Sequence, residues 1–232
     1  MAGAWHKPYR GYLFDLDGTL IDTAPDLNAA LNHCLGKAGL AAVPEALTRH
    51  WVGHGARVLV EQALQHHGVA PATSQVDVMH QDFLDFYAQH NADHSLPYPT
   101  VLATLTKLQT QNCSLCVVTN KLEQFSRRIL DQLEMTHFFD QIIGGDTAAQ
   151  PKPDPAPVEL CLHRMGLSAD QVLFVGDSVT DVKAARNAGV AVVCVADGYN
   201  QGVPAEQLGA DGVINSFADL ITQPSTQLTD TA

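Results

Sequence analysis

From residue 97 onward, short apolar runs alternate with segments of helical spacing, and this alternation restricts the fold more than any other feature. Strands are predicted over residues 114–118, 142–143, 171–175, 191–195 and 213–214, and an earlier apolar run covers residues 12–14. Strands that alternate with helices form right-handed βαβ units and a mostly parallel sheet. The chain is therefore predicted to be an α/β protein with a Rossmann-like parallel sheet core.

The sequence between the first predicted strand and Ser95 has helical spacing and no convincing strand. The run Thr23-Ala24-Pro25-Asp26 is typical of a helix start, with a capping hydroxyl, an early proline and an acidic first turn. Further helices are predicted over residues 44–51, 56–67 and 74–90. We expect a small helical cap domain at 22–94, inserted into a core of residues 1–21 and 95–222 and followed by a polar tail at 223–232.

Polar side chains follow several predicted strands at the point where each strand ends. Asp15 and Asp17 follow the first, and residues two apart in an extended chain point to the same side. Thr119, Asn120 and Asp177 follow later strands. Ligands of open parallel sheets bind beyond the carboxyl ends of the strands, so these residues are predicted to share one site. The plain alternative for the first pair is a strand followed by an acidic turn.

The later strand ends carry two kinds of chemistry. In Thr119-Asn120 a hydroxyl, an amide and free helix N–H groups suit a phosphate, although both residues are also ordinary helix caps. Lys152 lies between prolines and could neutralise a phosphate and a nearby carboxylate, or be a solvated surface lysine. Asp177 suits a hard cation. Asp181 resembles the acid of a capping box.

Charge and composition restrict the partners. Thirteen basic and 25 acidic residues give a net charge of −12, which disfavours nucleic acid and anionic membranes. Apolar runs stay short of the ~18 residues that span a bilayer, and residues 1–10 lack the apolar core of a signal peptide. We expect a cytoplasmic protein, monomeric or homodimeric, without a nucleic-acid or membrane partner. The five scattered cysteines are expected to be free thiols, mostly buried.

The order of these motifs resembles that of the haloacid dehalogenase superfamily of hydrolases, and the resemblance covers nearly the whole chain. The matching motifs are Asp15-x-Asp17-x-Thr19, Thr119-Asn120, Lys152 and Gly176-Asp177-x-x-x-Asp181. Within the superfamily the chain is similar to the phosphoglycolate phosphatases. The supporting stretches, shared in part with sugar-phosphate phosphatases, are Thr119-Asn120-Lys121, Gly145-Asp146-Thr147, Ala188-Gly189 and Gly198-Tyr199-Asn200.

The resemblance implies that Asp15 is a nucleophile that forms an aspartyl-phosphate, a chemistry open to carboxylates. Asp17 would be the general acid and then the general base. An aspartate at position 17 favours ester hydrolysis over carbon–halogen cleavage. Thr119, Asn120 and Lys152 would bind the phosphoryl oxygens.

Two adjacent carboxylates and a dianionic ester repel one another, so a divalent cation is expected, and oxygen ligands suit Mg²⁺. By resemblance, Asp15, Asp177 and the main-chain carbonyl of Asp17 would hold the ion. Asp181 would not contact the ion itself but would orient a metal-bound water or Lys152.

Substrate choice is expected to lie in the cap. Arg57, in Gly53-His54-Gly55-Ala56-Arg57, could pair with the carboxylate of 2-phosphoglycolate, or be a surface arginine. The resemblance implies a small phosphorylated metabolite as the substrate, and the reaction that it predicts is hydrolysis of 2-phosphoglycolate to glycolate and phosphate. Alternatives are a phosphatase for a sugar phosphate such as N-acetylmuramic acid 6-phosphate and a β-phosphoglucomutase-like mutase. A phospho-accepting receiver module is the alternative outside enzymes, but receivers are about half this length and carry no helical insert.

Overall fold

The structure is built on alternating strands and helices. It is a computed structural model that describes residues 5–70 and 72–221; the predicted polar tail at 223–232 lies outside them. The strands are β1 Gly11–Phe14, β2 Ile21–Asp22, β3 Leu96–Pro97, β4 Ser114–Val118, β5 Gln141–Ile143, β6 Val172–Gly176, β7 Ala191–Val195 and β8 Gly212–Ile214. The helices are α1 Ala24–Lys37, α2 Glu45–Trp51, α3 Ala56–His66, α4 Thr73–Tyr87, α5 Val101–Thr110, α6 Glu123–Gln132, α7 Ala156–Met165 and α8 Val179–Asn187.

Six strands form one sheet in the order β5-β4-β1-β6-β7-β8. Every pair in it is parallel, and β1 pairs with β4 on one side and with β6 on the other. All four residues of β1 are buried, as expected for a central strand covered on both faces. The predicted α/β fold with a parallel sheet core is confirmed.

The two faces of the sheet carry separate apolar layers, because successive side chains of a strand point to opposite faces. Tyr12 and Phe14 of β1 pack in the layer that contains residues of α5 and α6. Leu13 packs in the opposite layer, with Val158 of α7 and Val182 of α8. The strand ends that carry the candidate site are therefore fixed by helices on both sides.

The predicted helical insertion is confirmed, since α1 to α4 lie between β2 and β3. These helices form their own apolar cluster, with Leu31, Leu64 and Phe83 fully buried. At the base of the insertion β2 and β3 pair antiparallel, Ile21 with Pro97 and Asp22 with Leu96. The chain therefore leaves the core and returns to it through two adjacent strands.

Asp26 fastens the start of the insertion to its return. Its Oδ2 accepts hydrogen bonds from Ser95 N at 2.8 Å and Ser95 Oγ at 2.6 Å, and its Oδ1 accepts one from His94 N at 3.0 Å. The carboxylate is buried, where such bonds to charge are strongest. Asp26 is the acid predicted for the first turn of α1, and its hydrogen bonds also join the two ends of the insertion.

The cysteines differ from the expectation of free thiols. Because β4 faces α7, the Sγ atoms of Cys116 and Cys161 lie 2.13 Å apart and are joined as a disulfide. Cys34, Cys113 and Cys194 are free. No helix in the described part of the chain is long and apolar enough to cross a membrane.

Candidate active site

Three aspartates meet at the carboxyl ends of the two central strands. Asp15 follows β1, Asp177 follows β6, and Asp181 lies in the first turn of α8. One carboxylate oxygen from each lies within 4.8 Å of the others, and all three residues are buried. The structure thus brings together acids that are far apart in the sequence.

Two glycines allow the main chain to approach Asp177. A Cβ on Gly198 would lie 2.1 Å from the Cβ of Asp177, and one on Gly18 would lie 2.2 Å from its Oδ2. Gly18 also has a φ of 83°, which glycine adopts readily. Larger residues at either position would displace the Asp177 carboxylate.

Lys152 supplies a positive charge to this acidic cluster. Its Nζ lies 2.8 Å from Asp15 Oδ1 and 2.6 Å from Asp181 Oδ1, and the side chain is 2% exposed. The other oxygen of Asp181 accepts hydrogen bonds from Ser178 Oγ at 2.6 Å and Ser178 N at 3.1 Å, which completes a capping box at α8. Asp181 is thus committed to orienting Lys152 and the helix start.

Three buried aspartates surround one buried lysine, and two of the three have raised pKa values. Burial raises the pKa of Asp15 to about 7, against the opposing effect of Lys152. Burial, and then the charges of Asp181 and Asp15, raise the pKa of Asp177 well above its usual value. Although burial also acts on Asp181, Lys152 holds its pKa below the ordinary value. An all-oxygen pair with excess negative charge, Asp15 and Asp177, fits a hard divalent cation.

Asp17 lies beside a second buried lysine. Lys121 Nζ donates to Asp17 Oδ1 at 2.9 Å and to Oδ2 at 3.0 Å. Thr23 Oγ1 also donates to Asp17 Oδ1, at 2.7 Å. Lys121 was not among the residues predicted for the site, although its position directly after Thr119-Asn120 at a strand end was a usable signal. These contacts fix the carboxylate of Asp17 in one orientation.

Tyr199 connects the site to the helical insertion. Its hydroxyl accepts hydrogen bonds from Thr23 N and Ala24 N, both at 2.9 Å, and so caps the start of α1. Its main-chain N–H donates to Asp177 Oδ2 at 2.5 Å. The expectation that the Thr23 hydroxyl caps this helix is therefore wrong. Because Tyr199 fills that role, Thr23 is free to bind Asp17.

Thr119 and Asn120 lie at the end of β4, next to the other candidates. Thr119 is buried, and its Oγ1 accepts a hydrogen bond from Lys121 N at 3.2 Å. Asn120 Nδ2 donates to the main-chain carbonyls of Gly53 at 3.1 Å and Lys152 at 3.0 Å. The Asn120 amide thus ties the loop before α3 to the loop that carries Lys152, and both of its N–H groups are engaged.

A cavity of about 260 Å³ extends from Asp15 and Asp17 toward the helical insertion. Its wall is mainly apolar and includes Leu27, Leu59, Phe83, Leu84, Leu122 and Phe125. Arg57 also lines it, but its Nη1 lies 2.7 Å from Asp77 Oδ1, and its side chain is 42% exposed. The structure therefore places Arg57 in a surface ion pair at the cavity wall.

The carboxyl edge of the parallel sheet thus combines a buried acid pair suited to a cation with one fixed positive charge from a lysine. A family model described as haloacid dehalogenase-like hydrolase matches residues 12–195. The chain belongs to this family.

The similar proteins carry one recurring name. The phosphoglycolate phosphatase of Caulobacter vibrioides is 42% identical over 207 residues, covering 89% of this chain and 87% of that protein. The phosphoglycolate phosphatase of Pectobacterium atrosepticum is 42% identical over 212 residues, with 91% of each chain covered. A crystal structure described as a predicted phosphoglycolate phosphatase from Haemophilus somnus superposes with a TM-score of 0.86 at 34% identity, covering 92% of this chain and 96% of that one.

Proposed function

We propose that this protein hydrolyses 2-phosphoglycolate to glycolate and phosphate through a phosphorylated Asp15. The observation that carries the proposal is the convergence of Asp15, Lys152 and Asp177 at one sheet edge. Relatives about 40% identical over most of their length bear the name phosphoglycolate phosphatase. The cavity beside Asp15 leaves room for a small phosphate ester between the strand ends and the helical insertion.

The proposed reaction has two displacements at phosphorus. A carboxylate oxygen of Asp15 forms a bond to phosphorus while the bond to the glycolate oxygen breaks, and Asp17, which enters this step in its protonated form, gives that oxygen its proton. Asp17, now a carboxylate, then takes a proton from a water that attacks phosphorus and breaks the bond to Asp15. Asp17 lies two residues from Asp15 and is held by Thr23 and Lys121, so its position is fixed for both steps.

The phosphoryl oxygens need positive charge and hydrogen-bond donors as negative charge moves through the transition state. We propose that Lys152, the Thr119 hydroxyl and Asn120 supply them. Because both side-chain N–H groups of Asn120 bind carbonyls, the contribution of Asn120 comes from its main-chain N–H.

Mg²⁺ is the proposed cation, with Asp15, Asp177 and the main-chain carbonyl of Asp17 as its protein ligands. When bound, it would neutralise the carboxylates and the phosphate, which otherwise repel each other. Asp181 supports this site through Lys152 and through its hydrogen bonds to the start of α8.

We propose that residues 22–94, which contain the helical insertion, act as a cap domain on a core of residues 1–21 and 95–222. The cavity lies between this insertion and the strand ends, so cap closure would exclude water from the reacting phosphate. The amide of Asn120 bonded to Gly53 is a contact across this boundary.

The decisive experiment is a hydrolysis screen with and without Mg²⁺ over 2-phosphoglycolate, N-acetylmuramic acid 6-phosphate and β-glucose 1-phosphate. We expect repeated turnover with the highest kcat/KM on 2-phosphoglycolate. A higher kcat/KM on N-acetylmuramic acid 6-phosphate would make that ester the substrate in place of 2-phosphoglycolate. Isomerisation of β-glucose 1-phosphate would show that the protein is a mutase. Phosphate release that stops at one equivalent would instead indicate a receiver-like module.

Mg²⁺ is expected to raise the melting temperature more at about pH 8 than at about pH 5.5. Below its raised pKa of about 7, Asp15 holds a proton that the ion must displace. Without metal, the folded protein also becomes less stable as pH rises from about 4 toward 7, because Asp15 and Asp177 must then be buried in their charged forms. Melting curves at both pH values, with Asp177→Asn as the control that loses the shift, test this. Equal shifts at the two pH values would contradict the assignment.

A further inference from the structure

Two buried polar side chains, Lys121 and Tyr87, line the cavity near Asp17. In the proposed reaction Lys121 only holds Asp17, and Tyr87 has no role. Lys121 follows the end of β4, and its Nζ is within 3.0 Å of both oxygens of Asp17. Tyr87 is the last residue of α4 and is 1% exposed. Both line the same cavity, one from the core and the other from the helical insertion.

The Tyr87 hydroxyl has no hydrogen-bond partner of acceptable geometry within the described residues. Lys121 Nζ lies 4.8 Å from the centroid of the ring. It is also close enough to the hydroxyl to oppose the effect of burial on the Tyr87 pKa, but the two groups do not meet at the angle of a good hydrogen bond. Burial raises the pKa of Tyr87 to about 12, so the hydroxyl keeps its proton at neutral pH. A buried hydroxyl left without a partner is unfavourable, which points to a ligand that completes its hydrogen bonding.

The chemistry of the substrate places an anion at this position. In 2-phosphoglycolate a single methylene separates the carboxylate from the ester oxygen that Asp17 protonates. Standard bond lengths put a carboxylate oxygen about 3 Å from that ester oxygen. An ammonium that already contacts Asp17 is therefore within reach of the substrate carboxylate.

Lys121 is better placed for this task than Arg57. The Lys121 side chain is 5% exposed, whereas that of Arg57 is 42% exposed and already paired with Asp77. A charge-assisted hydrogen bond is stronger where water is excluded, and an exposed cation that must leave another acid gains less.

We propose that Lys121 and the Tyr87 hydroxyl form a subsite that binds the carboxylate of the substrate. The subsite selects phosphate esters with a carboxylate one carbon from the ester oxygen, and rejects alkyl phosphates of the same size. This inference rests on the proposed phosphatase function and names the residues that give it specificity. Because its two donors come from the insertion and the core, the subsite is complete only when these parts are together.

The test compares 2-phosphoglycolate with ethyl phosphate, which has a methyl group in place of the carboxylate. The readout is the ratio of the two kcat/KM values, because Lys121 also holds Asp17 and its loss slows both reactions. We expect Lys121→Met to reduce the preference for 2-phosphoglycolate about 10- to 100-fold, and Tyr87→Phe about 3- to 10-fold. Lys107→Met, an exposed lysine on α5, is the matched control with an unchanged ratio.

Binding separates this inference from the proposed function. Calorimetric titration of both esters into Asp15→Asn, with and without Lys121→Met, measures recognition without turnover. Tighter binding of 2-phosphoglycolate that depends on Lys121 supports the subsite even if the wild type hydrolyses neither ester. The proposed subsite is overturned if the tighter binding of 2-phosphoglycolate persists in Lys121→Met, or if it disappears in Arg57→Met instead. Equal binding of the two esters to Asp15→Asn also overturns it.

Discussion

The Asp15→Asn variant is expected to lose about 10⁴-fold or more in kcat on 2-phosphoglycolate, while its fold is kept. Asparagine has nearly the shape of aspartate, but its amide oxygen cannot take the phosphoryl group as a carboxylate does. Phosphate release measures the loss, and mass spectrometry of acid-quenched enzyme detects the phosphorylated aspartate in the wild type only. Asp85→Asn, an exposed acid on α4 that receives a hydrogen bond from Gln81, is the matched control with unchanged activity.

Although Asp15→Asn is expected to lose activity, it is expected to gain stability in the absence of metal. Ionised Asp15 is costly to bury, as its pKa of about 7 shows, so replacing it with a neutral isostere should raise the metal-free melting temperature at about pH 8. A variant that lost activity by misfolding would melt earlier instead. Undiminished turnover by Asp15→Asn would remove the nucleophile from the proposed reaction.

Lys152→Met is expected to lose about 3–5 kcal/mol of unfolding free energy at about pH 8, because two buried acids lose their cation. The nearest oxygens are Asp15 Oδ1 at 2.8 Å and Asp181 Oδ1 at 2.6 Å. The activity should fall about 10²-fold or more, since the phosphoryl group loses a charge partner. Denaturant unfolding and steady-state kinetics measure the two effects, and the exposed Lys183→Met on α8 is the control.

The pH dependence of Lys152→Met separates a charge effect from lost packing. In the wild type, Lys152 holds the pKa of Asp181 low, and that contribution to stability is present above the unfolded pKa and lost as pH falls. In the variant the buried acids have raised pKa values, so their cost should shrink as pH falls toward 5. A loss of the same size at about pH 5 and about pH 8 would show that packing alone is responsible.

Elements bounded by strong local signals were predictable. The predicted strands at 114–118 and 191–195 match β4 and β7, because each is an apolar run between polar residues. The predicted helix from Ala156 to Met165 matches α7, which follows a proline and ends before Gly166 in the left-handed region. For β4, β7 and α7 the local sequence pattern was sufficient for the prediction, because the tertiary contacts of these elements favour the same structure.

The meeting of Asp15 and Asp177 was also predictable, because the carboxyl ends of parallel strands share one edge of a sheet. Contacts between distant segments were not. The hydroxyl of Tyr199 reaches the start of α1 across 175 residues of sequence and accepts the hydrogen bonds of the first main-chain N–H groups there. Thr23 stays at the N-cap position, but its side chain binds Asp17 instead of capping the helix. No local pattern encodes that exchange.

Lys121 illustrates the same limit at the site itself. Its position next to Thr119 and Asn120 is visible in the sequence, but its pairing with Asp17 depends on how the loop after β4 folds across the end of β1. Tyr87 depends further on how α4 packs against Lys121 and the core. Residues that the proposed substrate contacts through such packing can be found only once the chain is folded.

The antiparallel pairing of β2 with β3 has a consequence for how this architecture diversifies. Because Ile21 lies beside Pro97 and Asp22 beside Leu96, the intervening segment begins and finishes at neighbouring points. The entropic cost of joining two such points changes little with the length of the connection. We therefore expect that residues between β2 and β3 can be replaced by the corresponding segment of another family member without moving the acids of the sheet edge, so that substrate preference would follow the donor.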